Sequence, residues 1–359
     1  MKKDSEFTLA AIQAAPVYLD HEASTEKACR LIEKAAHKNA TIAAFSETWL
    51  PGYPFFCDVP KALRRMGMDA AYLASGVEIP SPTTNRLCRA ARRAHIDVVI
   101  GIVELDARTR GTVYCTLLFI GRDGRILGRH RKLKPTYNER TIWGEGDGLG
   151  LTVYERYYGR ISGLNCWEHM MMLPGYALMA QGTQIHVAAW PFFSSLALST
   201  GKGKLLSQAF AAQGSCYVIA VGGLLTPEDV PEKFRDFAKG RTENKIGSCI
   251  IAPGGEILEE ATPGEETILV ARGSQEAILT AKARCDVGGH YSRPDVLQLL
   301  VHRHQLARII MPETGEDDVS AALEIPDAET LGASPPMVDN DQATGQAFEA
   351  PVSEMDAKS

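Results

Sequence analysis

The sequence predicts an α/β protein with two β-sheets and helices on their outer sides. Short apolar runs rich in β-branched residues alternate with segments whose apolar residues recur at helical spacing. Several neighbouring runs are joined by tight turns, which favour antiparallel pairing. Parallel and antiparallel signals at this density suggest two sheets rather than one. The chain has 359 residues, a length that a single α/β domain can use in full.

The first half of the chain begins as strand, helix, strand. Residues 7–15 form an apolar run that ends at Pro16, residues 21–37 have helical periodicity, and residues 41–45 form a second apolar run. Further along, the same criteria predict helices at 60–75 and 83–95 and strands at 97–104, 113–120 and 125–133.

The second half repeats the alternation around Cys166. A β-prone run reaches this cysteine, and the residues after it have a helical pattern, so Cys166 is expected on a sharp strand-to-helix turn that exposes its side chain. Strands are predicted at 151–154, 159–165, 183–189, 216–222, 248–252, 256–258 and 267–271, helices at 170–181 and 205–214, and a helical or extended basic segment at 295–308.

Composition is that of a globular protein, with 45% hydrophobic and 23% charged residues. The N-terminus lacks the apolar segment of a secretory signal, and no run approaches the roughly 18 apolar residues of a membrane span. Eight cysteines are scattered without a C-x-x-C pair, which favours reduced thiols and a cytoplasmic location.

Charge divides the chain into a body and a tail. Residues 313–359 contain 12 acidic residues and one lysine, whereas residues 1–312 contain 37 basic and 32 acidic residues. The tail also lacks periodicity and is predicted to be disordered. We therefore expect one folded domain over residues 1–312, with a C-terminal extension at 290–312.

Three polar residues lie at the ends of predicted strands and are candidates for one site. These are Glu47, Lys132 and Cys166. Functional groups of α/β sheets gather where strands end. A thiol with a pKa of about 8.5 needs a base or a positive neighbour to react at neutral pH. Glu47 could take the thiol proton, and the Lys132 ammonium could stabilise the charge that develops during attack.

Each of the three residues also has an ordinary structural interpretation. A free cysteine is usually a small buried apolar residue, a glutamate after a strand can cap a loop, and one lysine of a basic run is usually solvated. A cysteine–histidine pair is the competing catalytic arrangement, and its histidine could be His130, His169, His186 or His290.

Three segments together resemble a known family. They are residues 45–54 (FSETWLPGYP), residues 130–136 (HRKLKPT) followed by Glu139 and Arg140, and residues 164–169 (LNCWEH). In this order they are similar to the three signatures of the nitrilase branch of the carbon-nitrogen hydrolase superfamily. The resemblance runs from about residue 7 to residue 308 and makes 1–312 the nitrilase domain.

The resemblance implies a four-layer α-β-β-α sandwich and a triad of Glu47, Lys132 and Cys166, with Glu139 as a second glutamate that supports the lysine. It implies hydrolysis of an organic nitrile to the carboxylic acid and ammonia, through a thioimidate and a thioester on the cysteine. It implies no metal and no organic cofactor. Self-association is also implied, into dimers across the face that carries the helix predicted at 170–181 and into spiral or helical filaments.

Four residues near these segments are candidate walls of an apolar substrate pocket: Tyr53, Thr136, Trp167 and Trp190. Aromatic walls would suit an aromatic or arylaliphatic nitrile, although each residue could equally be core packing. Other activities stay open, namely an aliphatic amidase or carbamoylase, a cyanide-hydrolysing enzyme, and a filament scaffold with a vestigial triad.

Two other patterns do not predict function. The glycine-rich residues 144–148 contain carboxylates and lack the lysine and hydroxyl residue of a phosphate-binding loop. The basic run at 129–134 is too short and too apolar to predict nucleic-acid binding. We therefore expect neither nucleic acid nor membrane as a partner.

Overall fold

A computed structural model describes residues 6–60, 62, 67–191, 201–239 and 247–303. These residues belong to one compact unit, residues 1–306. The predicted acidic tail at 313–359 and the last part of the predicted extension, 304–312, lie outside the described residues.

Twelve strands are found in the described part of the chain. They are β1 (Glu6–Gln13), β2 (Ile42–Ala44), β3 (Asp97–Leu105), β4 (Val113–Ile120), β5 (Ile126–Arg131), β6 (Tyr154–Arg156), β7 (Gly159–Asn165), β8 (Ile185–Trp190), β9 (Tyr217–Gly222), β10 (Cys249–Ile251), β11 (Ile257–Glu260) and β12 (Thr267–Ser274).

The α-helices of the same residues are α1 (His21–His37), α2 (Met68–Ala74), α3 (Pro82–Ala94), α4 (Met172–Ala180), α5 (Lys202–Gly214), α6 (Arg235–Ala238) and α7 (Gln275–Arg284). Short 3-10 helices occur at Tyr137–Thr141, Gly148–Gly150, Cys166–Met170, Pro227–Asp229 and Glu232–Phe234. Two of the long helices begin at polar caps: Asp20 accepts from the Ala23 N–H, and Ser81 accepts from the Thr84 N–H.

The strands form two six-stranded sheets. The first has the order β12-β1-β2-β3-β4-β5, and the second has the order β11-β10-β9-β8-β7-β6. In each sheet the central strands are parallel, β1-β2-β3 and β7-β8-β9, and the outer strands pair antiparallel. Parallel neighbouring strands are joined through helices. This explains why apolar runs and helical segments alternate along the sequence.

Apolar side chains fill three interfaces, and these make four layers. Between the two sheets lie residues such as Leu117, Phe119, Val187 and Ile219. Residues of α1 and α3 pack on the outer face of the first sheet, and residues of α4 and α5 pack on the outer face of the second. This confirms the predicted α-β-β-α sandwich.

Some predicted elements differ from the structure. The strand predicted at 151–154 begins only at Tyr154, because the preceding 3-10 turn continues to a Thr152 N–H bond to the Gly150 carbonyl. The helix predicted at 60–75 is helical at Met68–Ala74, and residues 61 and 63–66 lie outside the described residues. Residues 295–303 contain neither helix nor strand.

Helix α7 was not predicted. It buries only Ile278, so its sequence lacks the apolar stripe by which a helix is recognised. It begins because the Ser274 side chain accepts from the Ala277 N–H. Among the described residues, no helix has the length and apolar character needed to cross a membrane.

Candidate active site

The three residues predicted from strand ends lie at three strand ends of the structure. Glu47 follows β2, Lys132 directly follows β5, and Cys166 directly follows β7. The first two strands belong to the first sheet and the third to the second sheet. The group therefore lies where the two sheets face each other.

A buried lysine joins two carboxylates at this point. Lys132 Nζ donates to Glu47 Oε1 at 2.8 Å and to Glu139 Oε2 at 2.7 Å. The thiol sulfur of Cys166 and carboxylate oxygens of Glu47 and Glu139 all lie within 4.8 Å of one another, and the exposed fractions of the four residues are 5% or less. The structure thus brings together all four predicted catalytic residues.

The backbone at each of the three loops passes through the left-handed region. Cys166 has φ +49°, Thr48, directly after Glu47, has φ +44°, and Tyr137, two residues before Glu139, has φ +45°. This conformation is uncommon for residues other than glycine, and for a β-branched residue such as Thr48 it is a marked outlier. Such strain clusters at functional sites because the surrounding structure must hold it.

Glu139 is held by donors from several elements. Oε2 accepts from Lys132 Nζ and also from the backbone N–H of Thr136 at 2.7 Å. Oε1 accepts from the Tyr53 hydroxyl at 2.8 Å. Both Tyr53 and Thr136 were predicted as pocket walls, and here they fix the second glutamate. The ring of Trp143, which was not predicted, faces the ammonium, with Lys132 Nζ 5.4 Å from its centroid.

Burial and charge set the protonation states of this group. Burial raises the pKa of Glu47 to about 7, against the opposing effect of Lys132. Burial would lower the pKa of Lys132, but the carboxylates of Glu139 and Glu47 outweigh it and raise that pKa well above its ordinary value. Burial also raises the pKa of the Cys166 thiol well above its ordinary range.

Lys132 is therefore an ammonium at neutral pH, and Cys166 rests as a thiol. The thiol cannot ionise into bulk water because it is buried. A carboxylate with a pKa of about 7 is well matched to receive its proton. A proton transfer from Cys166 to Glu47 would keep the net charge of the buried group constant.

Glu168 anchors the Cys166 turn to the lysine strand. Its carboxylate accepts from the Asn165 N–H and the Leu133 N–H, each at 2.8 Å, and contacts His130 Nε2 at 2.9 Å. Burial alone would raise the pKa of Glu168, but His130 and the two backbone donors lower it. The carboxylate thus ties the loop of the nucleophile to the loop of Lys132, a role that the sequence analysis did not identify.

A chain of hydrogen bonds also ends on the backbone of Cys166. The Cys166 carbonyl can only accept, so His169 Nδ1 donates to it at 2.7 Å. His169 Nε2 then accepts from His186 Nε2 at 3.0 Å, and His186 Nδ1 accepts from the Ser162 hydroxyl at 2.8 Å. Thr183 donates to Ser162 in turn. Burial lowers the pKa of His169 to about 4 and lowers that of His186 well below its ordinary value, so both rings are neutral, as the chain requires.

The histidines do not form a cysteine–histidine pair. His169 bonds to the carbonyl of Cys166 rather than to its thiol, and His130 bonds to Glu168. His290 is exposed. In the part of the chain that the structure describes, no histidine is hydrogen-bonded to the Cys166 sulfur. The carboxylate of Glu47 is the better placed base.

The two predicted tryptophan walls differ in position. Trp167 is only partly buried, and its ring packs edge-on against Tyr137 with centroids 5.9 Å apart. Trp190 is buried, stacks on His169 and donates its indole N–H to Ser207 Oγ at 3.1 Å. Both are packing contacts, and the role of Trp190 as a pocket wall stays a prediction.

Two carboxylates and a thiol within 4.8 Å are also a donor set that metal ions use. In this site the Lys132 ammonium hydrogen-bonds to both carboxylates, so the chain itself supplies the balancing positive charge. The family resemblance of the sequence implies no metal here.

Fold and site together define a hydrolase class built on a buried thiol, an ammonium and two carboxylates. The family model described as "Carbon-nitrogen hydrolase" matches residues 8–282. A relative called Nitrilase 2, from an unknown prokaryotic organism, is 52% identical over 89% of this chain and 99% of its own. The chain therefore belongs to the carbon-nitrogen hydrolase family, within its nitrilase branch.

Two further similarities agree with this assignment. A nitrilase of Pseudomonas syringae pv. syringae (strain B728a) is 37% identical over 89% of this chain and 97% of its own. The crystal structure of a Saccharomyces cerevisiae member of branch 10 of the nitrilase superfamily has a TM-score of 0.65 at 19% identity, covering 80% of this chain and 97% of its own. At that identity the second similarity concerns the fold alone.

Proposed function

We propose that this protein is a nitrilase that converts an organic nitrile to the carboxylic acid and ammonia. The observation that carries the proposal is the convergence of Cys166, Glu47 and Glu139 around the Lys132 ammonium, in a chain with nitrilase relatives. The nitrile carbon is electrophilic, and a thiol with an adjacent base is the nucleophile suited to it.

The first half of the reaction forms a covalent adduct. Glu47 takes the proton of Cys166 as the sulfur attacks the nitrile carbon, and the same proton passes from Glu47 to the nitrile nitrogen. A carbon–sulfur bond forms, one carbon–nitrogen π bond breaks, and the product is a thioimidate. The Lys132 ammonium stabilises the negative charge that develops at the attacked group.

The second half consumes two water molecules. The first adds to the thioimidate carbon and gives a tetrahedral species beside Lys132 and the backbone N–H of Trp167. Expulsion of ammonia leaves a thioester, and the second water releases the carboxylic acid and restores the thiol. If the tetrahedral species expels the sulfur instead, an amide leaves, so a minor amide product is expected.

Ammonia release from a panel of nitriles and amides tests the proposal. We expect turnover of at least one organic nitrile, with the acid as main product, and its loss in Cys166→Ala. Cys216→Ala is the matched control, because Cys216 is a wholly buried thiol that directly precedes β9, away from the Cys166 turn in the chain. Activity in that control excludes a general effect of removing a buried sulfur.

Other outcomes favour the alternatives. Turnover of amides alone would make the protein an amidase or carbamoylase, and turnover of hydrogen cyanide alone would make it a cyanide-hydrolysing enzyme. No turnover, together with polymers on micrographs, would favour a filament scaffold. Full activity in Glu47→Gln, combined with loss of activity on removal of one histidine, would favour a cysteine–histidine mechanism.

The residues that line the substrate pocket and the cellular location of the protein are proposals that follow from the sequence. Tyr53 and Thr136 reach the site through Glu139, and we propose them, together with Trp167 and Trp190, as residues near the substrate. A cytoplasmic location and a nitrilase domain over residues 1–312 rest on cysteine spacing, charge and the family resemblance.

We also propose self-association through an apolar surface beside the nucleophile turn. This methionine face consists of Met170, Met171, Met172, Leu173 and Leu205, which are all exposed. Met172 and Leu173 have exposed fractions of 82% and 63%, and a contiguous apolar surface of this kind marks an interaction site. Met172 and Leu173 begin α4, the helix after the Cys166 turn, where the resemblance places a dimer contact, and Leu205 lies in α5. Met172→Asp with Leu173→Asp should therefore reduce particle size in light scattering, and an unchanged size would count against the proposal.

A further inference from the structure

The two oxygens of the Glu47 carboxylate have different surroundings. Oε1 accepts from Lys132 Nζ at 2.8 Å and from the thiol of Cys115, whose sulfur is 3.2 Å away. Oε2 is buried and has no hydrogen-bond partner among the described residues. One oxygen is thus engaged by two donors while the other is free to exchange a proton.

The second donor comes from the middle of a strand rather than from a site loop. Cys115 lies in β4, its exposed fraction is 0%, and its carbonyl accepts from the Lys132 N–H at 2.8 Å. Burial and the nearby Glu47 charge raise the pKa of its thiol well above the ordinary value. Cys115 therefore keeps its proton and can act toward Glu47 only as a donor.

We propose that Cys115 is a positioning residue for the base: its S–H and the Lys132 ammonium together hold Oε1, so that Oε2 is the atom that receives the Cys166 proton. The proposal rests on the proposed function of the Glu47, Lys132 and Cys166 group. In this arrangement two thiols act on the Glu47 carboxylate. Cys115 is a fixed hydrogen-bond donor to Oε1, and Cys166 is the nucleophile whose proton goes to Oε2.

The contact also affects how readily Glu47 ionises. A hydrogen bond to the ionised form of an acid lowers its pKa, so the Cys115 thiol favours the carboxylate against the burial that raises it. Loss of that donor should make Glu47 retain its proton to higher pH. The titratable groups that face Glu47 are Lys132, Glu139, Cys115, Cys166, Tyr53 and Tyr72, and of these only Cys115 is changed in the test.

The test compares Cys115→Ala and Cys115→Ser with the control Cys216→Ala. The readout is kcat/KM for a nitrile as a function of pH. We expect Cys115→Ala to move the acidic limb upward by about half a pH unit, which lowers kcat/KM about threefold on that limb. In Cys115→Ser the hydroxyl is a stronger donor, so the limb should return to the wild-type position or below it. Cys216→Ala should match the wild type.

A second readout separates this proposal from the proposed function. Alkylation of Cys166 by iodoacetamide, followed by mass spectrometry across the same pH range, needs no nitrile turnover. If the wild type does not hydrolyse nitriles, the proposed function fails, yet the alkylation profile of Cys115→Ala should still shift upward. A Cys115→Ala profile that coincides with that of Cys216→Ala would overturn the role of Cys115. A Cys115→Ser profile that matches a shifted Cys115→Ala profile would overturn it too.

Discussion

Gly101, which packs against the loop that carries Glu47, should be essential for activity. Gly101 is in β3, and the loop after β2 crosses directly over it: the Leu50 N–H donates to the Gly101 carbonyl at 3.0 Å. A Cβ added to Gly101 would stand 2.2 Å from the Ser46 carbonyl oxygen, 2.4 Å from the Thr48 nitrogen and 2.8 Å from the Glu47 carbonyl carbon. These are backbone atoms, which cannot rotate away as a side chain can.

The size of the effect follows from these distances. Cβ contacts below 3.0 Å are essentially never observed, so the segment that carries Glu47 must move by about 0.8 Å or more in Gly101→Ala. A displacement of about 1 Å of a catalytic group can cost about 100-fold in rate. Overpacking of a buried site costs about 1 to 3 kcal/mol of stability, which a domain of this size can tolerate. We expect kcat/KM to fall about 100-fold in a protein that still folds.

The assay is ammonia release from the preferred nitrile, with circular dichroism and thermal unfolding measured on the same samples. Gly111→Ala is the matched control, because Gly111 lies in the exposed turn between β3 and β4, and its added Cβ would meet nothing closer than 3.7 Å. Wild-type activity is expected there. A folded Gly101→Ala protein with more than about a third of wild-type kcat/KM would refute the argument that Gly101 sets the position of Glu47.

Further predictions concern the charges and the hydrogen-bond chain. Because Glu47 must be ionised to accept the thiol proton, kcat/KM should rise with pH through about 7, where Glu47 titrates, and then level off; a profile that is flat between pH 5.5 and 8 would contradict this. Glu139→Gln leaves the ammonium of Lys132 with one carboxylate and should lower kcat by about 100-fold with a small change in KM, as measured by steady-state kinetics; a kcat within threefold of wild type would argue against it. His169→Leu removes the donor to the Cys166 carbonyl and should lower kcat about tenfold with little effect on KM, whereas His169→Asn, which keeps an N–H, should recover part of the loss. Equal activity of the two variants would show that the donor is not needed.

The residues that sequence analysis could find are those with a local signal. Glu47, Lys132 and Cys166 each lie at the end of a predicted strand, and strand ends are where side chains leave the core. Glu139 has no such position and was identified only through the family resemblance. The two-sheet architecture was predictable because turns and alternating runs mark each strand separately.

The residues that were missed depend on contacts between distant parts of the chain. In the sequence, Cys115 is one apolar residue of a predicted strand. Only the pairing of β4 with its neighbours brings it to Glu47. Glu168 and His130 lie 38 positions apart, so neither segment predicts their contact. Gly101 has no positive φ, and its importance comes from a loop that crosses it. Long-range packing, not local propensity, decides these positions.

The division of the site between two sheets has a consequence for durability. Glu47 and Lys132 belong to the first sheet and Cys166 to the second. The sheets touch through apolar side chains, through the closely packed Gly163, whose added Cβ would meet Leu117 and Val187 at 3.1 Å, and through polar links such as Glu168 to His130 and Arg156 to Asp97. The main-chain hydrogen bonds of each sheet are internal to it, so movement of the two sheets apart, with loss of these polar links, separates base from nucleophile while both sheets persist. Thermal inactivation should therefore precede loss of secondary structure. The half-life of activity on heating would then measure how stable the contact between the two sheets is.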